Sequence, residues 1–573
     1  MPVGSSGVLD APARRRALAV MAAGRLDLLV VGGGITGTGA VLDAAARGLA
    51  VGLVEATDLA SGTSSKSSKL IHGGLRYLEM GDVRLVREAL RERELLLTRL
   101  APHLVRPVPF LWPLRRRGWE RLYLGAGLAL YDTMGGARSV PRHRHLTRRD
   151  ALAQAPPLRG DGLVGAVQFF DAAEDDARMV VAVARTAVGR GAHVATRARV
   201  QVLVRKGDRI AGAEVLDEET GETFTIRARH VALAVGAWTD RLRGAAGIDS
   251  ATVIRPSKGI HLVVAGDRIP MSTGVLSRTE KSVLFVIPTD DGWLIGDTDT
   301  PWTHGPDQPV ASGADVDYLL AKVNALLAQP LVRADVRGVF AGLRPLVGSA
   351  AAPDTTRLSR RHIVETPIPG LTTIAGGKYT TYRVMAADLI DAATRDFAGV
   401  RRSPTAGVPL VGADGFVAAR AQRRDLAVRA GVTVATVERL LGRYGDRVHD
   451  LVTLIEARPD LAEPLDGGEG HLAAEVVYAA THEGALRLED VLARRTRLSI
   501  TSADRGMVAA APAAALLAEV LGWDAARVEH EIETWHRRVA AERAGEAEPD
   551  DERALRAYRA ALEAELSPLR AQR

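Results

Sequence analysis

The 573-residue sequence contains no cysteine. That absence excludes disulfides, iron–sulfur clusters, cysteine zinc sites and thiol nucleophiles together. Long apolar runs are missing too. The longest stretch without a charge, residues 28–42, is 15 residues long and broken by glycines, short of the roughly 18 a membrane-spanning helix needs. Aromatic residues make up 4%, and lysine is scarce: seven lysines stand among 75 basic residues, so arginine carries the positive charge. Arg14, Arg15 and Arg16 ahead of residues 17–23 imitate a signal peptide. The apolar core is too short, and no convincing cleavage site follows. A cytoplasmic protein with a little-informative N-terminal extension is expected.

What is present is ordinary core-forming material, with 47% hydrophobic and 25% charged residues, enough for two to four domains at roughly 150 residues each. The net charge of +6 suits anionic metabolites or an anionic membrane surface as well as nucleic acid, and selects none of them. Residues 27–31 read as a buried parallel strand, 35–47 as a helix and 49–54 as a second strand: a βαβ unit. Helices are expected over 83–100 and 179–190, and strands over 194–204, 230–235, 283–288, 293–296 and 371–375. Residues 403–415 turn rich in proline, glycine and small residues, and helical periodicity follows, ending in a charged tail after Glu542.

Gly32, Gly34 and Gly37 spell G-x-G-x-x-G at the turn from the first strand into its helix. The first glycine makes the tight turn, the second admits a pyrophosphate to the backbone, and the third permits close helix–strand packing. Glu55, 23 residues after Gly32, ends the second strand, where a carboxylate can accept hydrogen bonds from an adenosine ribose. This fingerprint does not separate FAD from NAD. The loop that follows, Ser61 to Gly74 (SGTSSKSSKLIHGG), is dense in hydroxyls and carries Lys66, Lys69 and His72. Such a loop can wrap a pyrophosphate and bring His72 towards an isoalloxazine ring.

Residues 27–79 resemble the N-terminal part of FAD-dependent glycerol-3-phosphate dehydrogenases. The resemblance returns at ARMV (177–180), VGAW (235–238), SKGIH (257–261), FVIP (285–288), GDTD (296–299), GLRPL (342–346), AGGKYTTYR (375–383), RYG (443–445) and residues 478–498. The family's usual Ala-Thr-Gly before the tryptophan is Ala234-Val235-Gly236 here. The resemblance implies an α/β fold: a discontinuous Rossmann-like FAD-binding domain (27–100, 160–250, 345–395), a β-rich substrate or cap domain (101–159, 251–344) and an all-helical C-terminal domain (403–573). It implies oxidation of sn-glycerol 3-phosphate to dihydroxyacetone phosphate, with FAD taking the hydride. Thr36, Thr63, Ser64, Ser67, Lys69, Gly376, Lys378 and Thr380 join Gly32, Gly34, Gly37 and Glu55 as expected cofactor contacts.

A small dianionic substrate calls for guanidinium forks or ammonium groups. Arg344, between a leucine and a proline in GLRPL, is the expected phosphate ligand. The resemblance implies the same for Arg344 and makes Arg360 its companion, with Arg361 adjacent and hard to distinguish from it. Arg76, Tyr77 and Lys378 match family active-site positions. Hydride removal from C2 also requires the hydroxyl proton to leave, and His72 is the first candidate base, with His261 and Lys258 in reserve. No metal site is evident: His143 and His145 (RHRHLTRR) read as a basic solvated loop, and Asp175–Asp176 as a helix cap. With one dinucleotide fingerprint and no cysteine, a membrane quinone is the expected electron acceptor and oxygen, giving hydrogen peroxide, the alternative. An FAD-containing RNA-associated or binding protein is the more distant reading. Residues 106–131 mix Trp112, Trp119 and Tyr123 with clustered arginines, as interfacial anchors do. The lack of a clean amphipathic stripe favours cap structure there. Peripheral contact with an anionic membrane and a homodimer are both compatible with the family.

Overall fold

The computed structural model describes residues 7–79, 81–116, 118–134, 139–250, 252–279, 283–290, 292–349 and 361–564. Strand Leu26–Val31 is the organising element. Leu28 and Val30 enter one hydrophobic cluster and Leu29 and Val31 another, so both faces are covered and the sequence shows an unbroken apolar run. Parallel strands lie in the order Leu371–Ala375, Thr223–Leu233, Leu26–Val31, Val51–Val54, His193–Ala195, with Ile363–Ile368 antiparallel at one edge. From Leu26–Val31 the chain passes through helix Ile35–Ala46 to Val51–Val54 on one side, while Thr223–Leu233 pairs on the other. Gly32 therefore stands at a topological switch point, where α/β sheets open a crevice.

The N-terminal extension is more informative than its sequence suggested. It forms helix Ala11–Ala23, capped by Asp10, whose carboxylate accepts from Ala13 N at 2.6 Å. Leu18 and Met21 pack with Leu26 and Leu29. Arg14 is buried and donates to Asp217 and to the Thr196 carbonyl at 2.7 Å.

A second, ten-stranded sheet supplies the other wall of the molecule. Its main path runs Thr300–Pro301, Thr252–Ala265, Gly292–Gly296, Val283–Thr289, Gly274–Arg278, Arg106–Leu114, Gly165–Ala173, Leu70–Ile71. Val336–Ser349 pairs antiparallel with Thr252–Ala265. Strands Leu70–Ile71 and Gly165–Ala173, from segments expected in the nucleotide domain, thus belong to the β-rich layer. The stretch without a clean stripe contains a helix, Trp119–Met134, seated on this sheet through Leu124 and Leu128. Part of the expected basic loop is an edge strand, Arg144–Thr147.

From Phe416 onward the described chain is helical. Among the described residues the charged stretch after Glu542 is helical: helix Ala525–Ala547 continues through it, and Asp551–Glu563 packs against that helix. The helical region docks through buried ion pairs. Arg494 and Arg495 both donate to Asp58, and Arg178 makes a fork to Glu483 at 2.8 and 2.5 Å. Such pairs add little net stability, but removing one partner strands the other. They fix how the helices sit on the sheet.

Candidate active site

The C-terminal ends of the parallel strands open into a cavity of about 1510 Å³, larger than the ~300–1,000 Å³ of a site for a drug-sized ligand. Gly32 (φ +109°) sits so close to the neighbouring strand that a Cβ would lie 2.6 Å from the Ala234 carbonyl oxygen. A Cβ on Gly37 would stand 1.9 Å from the Gly32 oxygen, which accounts for the third glycine by packing. Gly34, Ile35 and Thr36 line the cavity at the start of their helix, and Ile35 N donates to Ser64 Oγ at 3.0 Å. The Glu55 carboxylate is held by Gly33 N at 2.6 Å and by Thr57 N at 2.8 Å. Glycines that leave no room for Cβ atoms, an open helix N-terminus and a carboxylate after the second strand fit a dinucleotide such as FAD.

The hydroxyl-rich loop is clamped from behind. Ser67 donates to Asp176 at 2.7 Å, Lys69 Nζ pairs with the same carboxylate at 2.9 Å, and Arg497 closes on it from the helical region. Asp175 accepts from Arg178 N at the helix start, as a cap should. Asp176 does more than cap: it anchors the loop. Lys69 is therefore corrected as a cofactor contact. It does not line the cavity, because its ammonium is spent on Asp176. Thr63, Ser64, Ser67, Gly376, Lys378 and Thr380 do line it. Burial, aided by Arg538, pulls the Lys66 ammonium down to about 8.

At the other end stand His72, Tyr77, Lys378 and Arg344. His72 N donates to Thr380 Oγ1 at 3.1 Å, and the ring lies edge-on to Phe285 at 6.3 Å. The next residue, Gly73, donates to the Tyr131 hydroxyl at 2.8 Å. Tyr131 in turn donates to Asp171, which Arg93 also holds at 2.6 Å. This chain sets the position of the His72 loop from the cap helix, and nothing in the sequence pattern indicated it. Lys378 Nζ lies 3.3 Å from the centre of the Tyr77 ring, a cation–π contact.

Arg344 lies on strand Val336–Ser349 beside Ser257. Its Nη2 donates to Asp297 and, at 3.0 Å, to the Thr298 carbonyl. Its buried Nη1 makes no hydrogen bond among the described residues and lies 3.7 Å from Asp299. One edge of the fork is thus fixed, while Nη1 faces the cavity-lining Asp299 without a hydrogen bond. Gly259 gives the guanidinium its room, since a Cβ there would lie 2.6 Å from Nη2. Gly296 does the same for the His261 ring, at 2.2 Å. Glycines inside strands mark such close approaches; that signal was present in SKGIH and GDTD.

His261 Nε2 is 2.9 Å from Ser68 Oγ, and its ring stacks on Phe340. Burial takes its pKa down to about 4. Lys258 is fully buried, ion-paired to Asp315 and Asp551, and does not line the cavity, so it is not a reserve base. The backbone of Arg76 opens a short helix, Arg76–Glu79, and its side chain lies outside the described residues, as does Arg360. Arg361 lines the cavity and pairs with Asp82 at 2.8 Å.

Sheet, glycine turn and cavity define a dinucleotide-binding α/β protein. Residues 27–383 match the FAD dependent oxidoreductase family, and residues 403–528 match the family described as the C-terminal domain of alpha-glycerophosphate oxidase. The chain is 50% identical over 529 residues to a glycerol-3-phosphate dehydrogenase of Mycobacterium leprae, covering 92% of this chain and 90% of that one. It is 36% identical to the human mitochondrial glycerol-3-phosphate dehydrogenase, over 89% of this chain and 72% of the relative. The solved glycerol-3-phosphate dehydrogenase of Bacillus halodurans, complexed with FAD, superposes with a TM-score of 0.77 at 28% identity, covering 92% of this chain and 97% of that one. The chain belongs to the FAD-dependent glycerol-3-phosphate dehydrogenase family.

Proposed function

We propose that this protein oxidises sn-glycerol 3-phosphate to dihydroxyacetone phosphate and passes the electrons to a membrane quinone. The observation that carries the reading is the placement, in one cavity, of a dinucleotide cradle and an arginine fork with a buried donor to spare. When bound, FAD supplies the hydride acceptor. Gly32, Gly34, Thr36, Glu55 and the Thr63–Ser67 hydroxyls would hold it. Arg344 binds the substrate phosphate, which presents acceptors to Nη1. Lys378 lends positive charge to the reacting end, and Tyr77 holds that ammonium in place. His72 takes the proton of the C2 hydroxyl, its backbone locked by Thr380. His261, buried and bonded to Ser68, stays neutral at neutral pH and braces the wall beside Arg344.

The acceptor is proposed from the surface. Helix Trp119–Met134 exposes Trp119 (60%), Leu122 (76%), Tyr123 and Leu130, with exposed Arg115 and Arg116 just before it. Aromatic and apolar tips beside arginines suit the interface of an anionic bilayer, and the family's electrons then have a quinone within reach. No described helix is long and apolar enough to cross a membrane. Purified enzyme given glycerol 3-phosphate and a soluble quinone analogue should form dihydroxyacetone phosphate with little oxygen uptake. Stoichiometric oxygen consumption without quinone would make it an oxidase. Cosedimentation with vesicles containing anionic lipid should fall in the double variant Trp119→Ser, Leu122→Asp.

A further inference from the structure

The cofactor cavity is not walled by the two sheets alone. Thr534, Trp535, Arg538, Tyr558 and Leu562 line it as well, and all lie in the last two described helices. These residues fall beyond residue 528, where the match to the C-terminal family ends. They gather at the Glu55 end. Arg538 pairs with Glu489 at 2.6 Å, Glu489 with Arg494 at 2.8 Å, and Arg494 with Asp58, three residues past Glu55. Leu555 and Ala554 pack with Ala237, Trp302 and Leu343, and Trp238 and Tyr558 close over them.

The hairpin is fastened to the cap sheet. Lys258, fully buried, holds Asp315 at 2.6 Å and, more closely, Asp551 in the first turn of the last helix. Gly313 N donates to the Glu548 carbonyl at 2.7 Å, and Arg505 makes a fork to Glu546 at 2.8 and 2.7 Å. One cavity-lining donor of the hairpin is left over. Trp535 is 1% exposed and lines the cavity, yet its Nε1 has no hydrogen-bond partner among the described residues. A buried indole N–H normally finds an acceptor, and the adenine–ribose end of a dinucleotide is rich in them.

We propose that the hairpin of Ala525–Ala547 and Asp551–Glu563 is the retaining wall for the adenosine end of the cofactor, with Trp535 Nε1 as a direct donor and the Lys258–Asp551 ion pair as its latch. The proposal rests on the FAD reading of the cavity. It makes the two helices a part of the binding site contributed late in the chain, which slows release of a cofactor that is not covalently required to stay.

Flavin release tests it. The as-purified holoenzyme is diluted into moderate bromide, and the rise of free-flavin fluorescence is timed for the wild type, Trp535→Phe and Asp551→Asn. Trp535→Phe keeps an aromatic ring, though a smaller one, and removes the N–H, and Asp551→Asn weakens the latch at near-constant shape. Each should release FAD roughly three- to tenfold faster, the effect of one hydrogen bond, while the melting temperature of the flavin-free protein stays at the wild-type value, because Lys258 keeps Asp315 as its counter-charge. Unchanged release in both variants overturns the proposal. Faster release matched by a lower melting temperature of the flavin-free protein assigns both residues to folding and also overturns it. A wild-type protein that is colourless and takes up no FAD overturns the cofactor reading itself, and this one with it.

Discussion

Arg344 shows how much a single side chain depends on residues distant in sequence. Its place in GLRPL marked it as a phosphate ligand. Its restraint by Asp297, 47 residues away, was not legible, because GDTD gave no reason to set an aspartate beside an arginine expected to bind phosphate. The carboxylate pins Nη2, and in the proposed reaction the substrate phosphate would meet Nη1. Arg344→Ala should raise KM for glycerol 3-phosphate by about 10- to 100-fold, since charge-assisted hydrogen bonds contribute roughly 1.5–3 kcal/mol, with FAD still bound. Steady-state kinetics and the visible spectrum of the variant check both halves. His72→Gln should instead act on kcat, lowering it by about 10²–10⁴-fold as loss of a general base does, with KM little changed. Lys69 and Lys258 illustrate the opposite lesson. A lysine inside a functional motif reads as a ligand from sequence, and only the carboxylates that surround it in space reveal a structural job.

At the scale of elements, the βαβ unit was readable because its signals are local: an apolar run, three glycines and a carboxylate within 29 residues. Gly37→Ala should abolish FAD uptake, since the added carbon would meet the Gly32 oxygen at 1.9 Å; the absorption spectrum of the purified variant reports it. Helix Ala11–Ala23 was missed for a physical reason. Three arginines interrupt its pattern, and the partner that lets Arg14 be buried, Asp217, is 203 residues away. Arg14→Ala leaves Asp217 uncompensated and should cost about 3 kcal/mol, measurable by urea unfolding. The mixed sheet strands failed similarly: Leu70–Ile71 and Gly165–Ala173 pair with each other across a long separation, so segment boundaries drawn along the chain could not assign them.

The whole molecule carries a stability signature in pH. Burial takes His103 down to about 3, with Arg178 adding to it, and takes His230 and His261 down to about 4, against 6.5 for a free side chain. Between pH 6.5 and about 4 the unfolded chain therefore binds more protons than the native one, so stability is greatest above 6.5 and falls as the solution is acidified. Burial alone would raise Asp58, but Arg495 and Arg494 bring it to about 2; its contribution is present above 3.8 and is lost as pH drops towards 2. The two effects have the same sign. The melting temperature should decline steadily from pH 7 to pH 4, and the double variant His103→Gln, His230→Gln should flatten that decline. These groups also tie the layers together, since Asp58 belongs to the nucleotide-binding region and its arginines to the helical one.

The most direct measurement is anaerobic mixing of the purified yellow protein with sn-glycerol 3-phosphate while the flavin band near about 450 nm is followed. Rapid bleaching, matched in amount by dihydroxyacetone phosphate and slowed at low substrate in Arg344→Ala, is the expected result. A protein that holds FAD but keeps its colour at millimolar-scale substrate would contradict the assignment of this cavity to glycerol 3-phosphate oxidation.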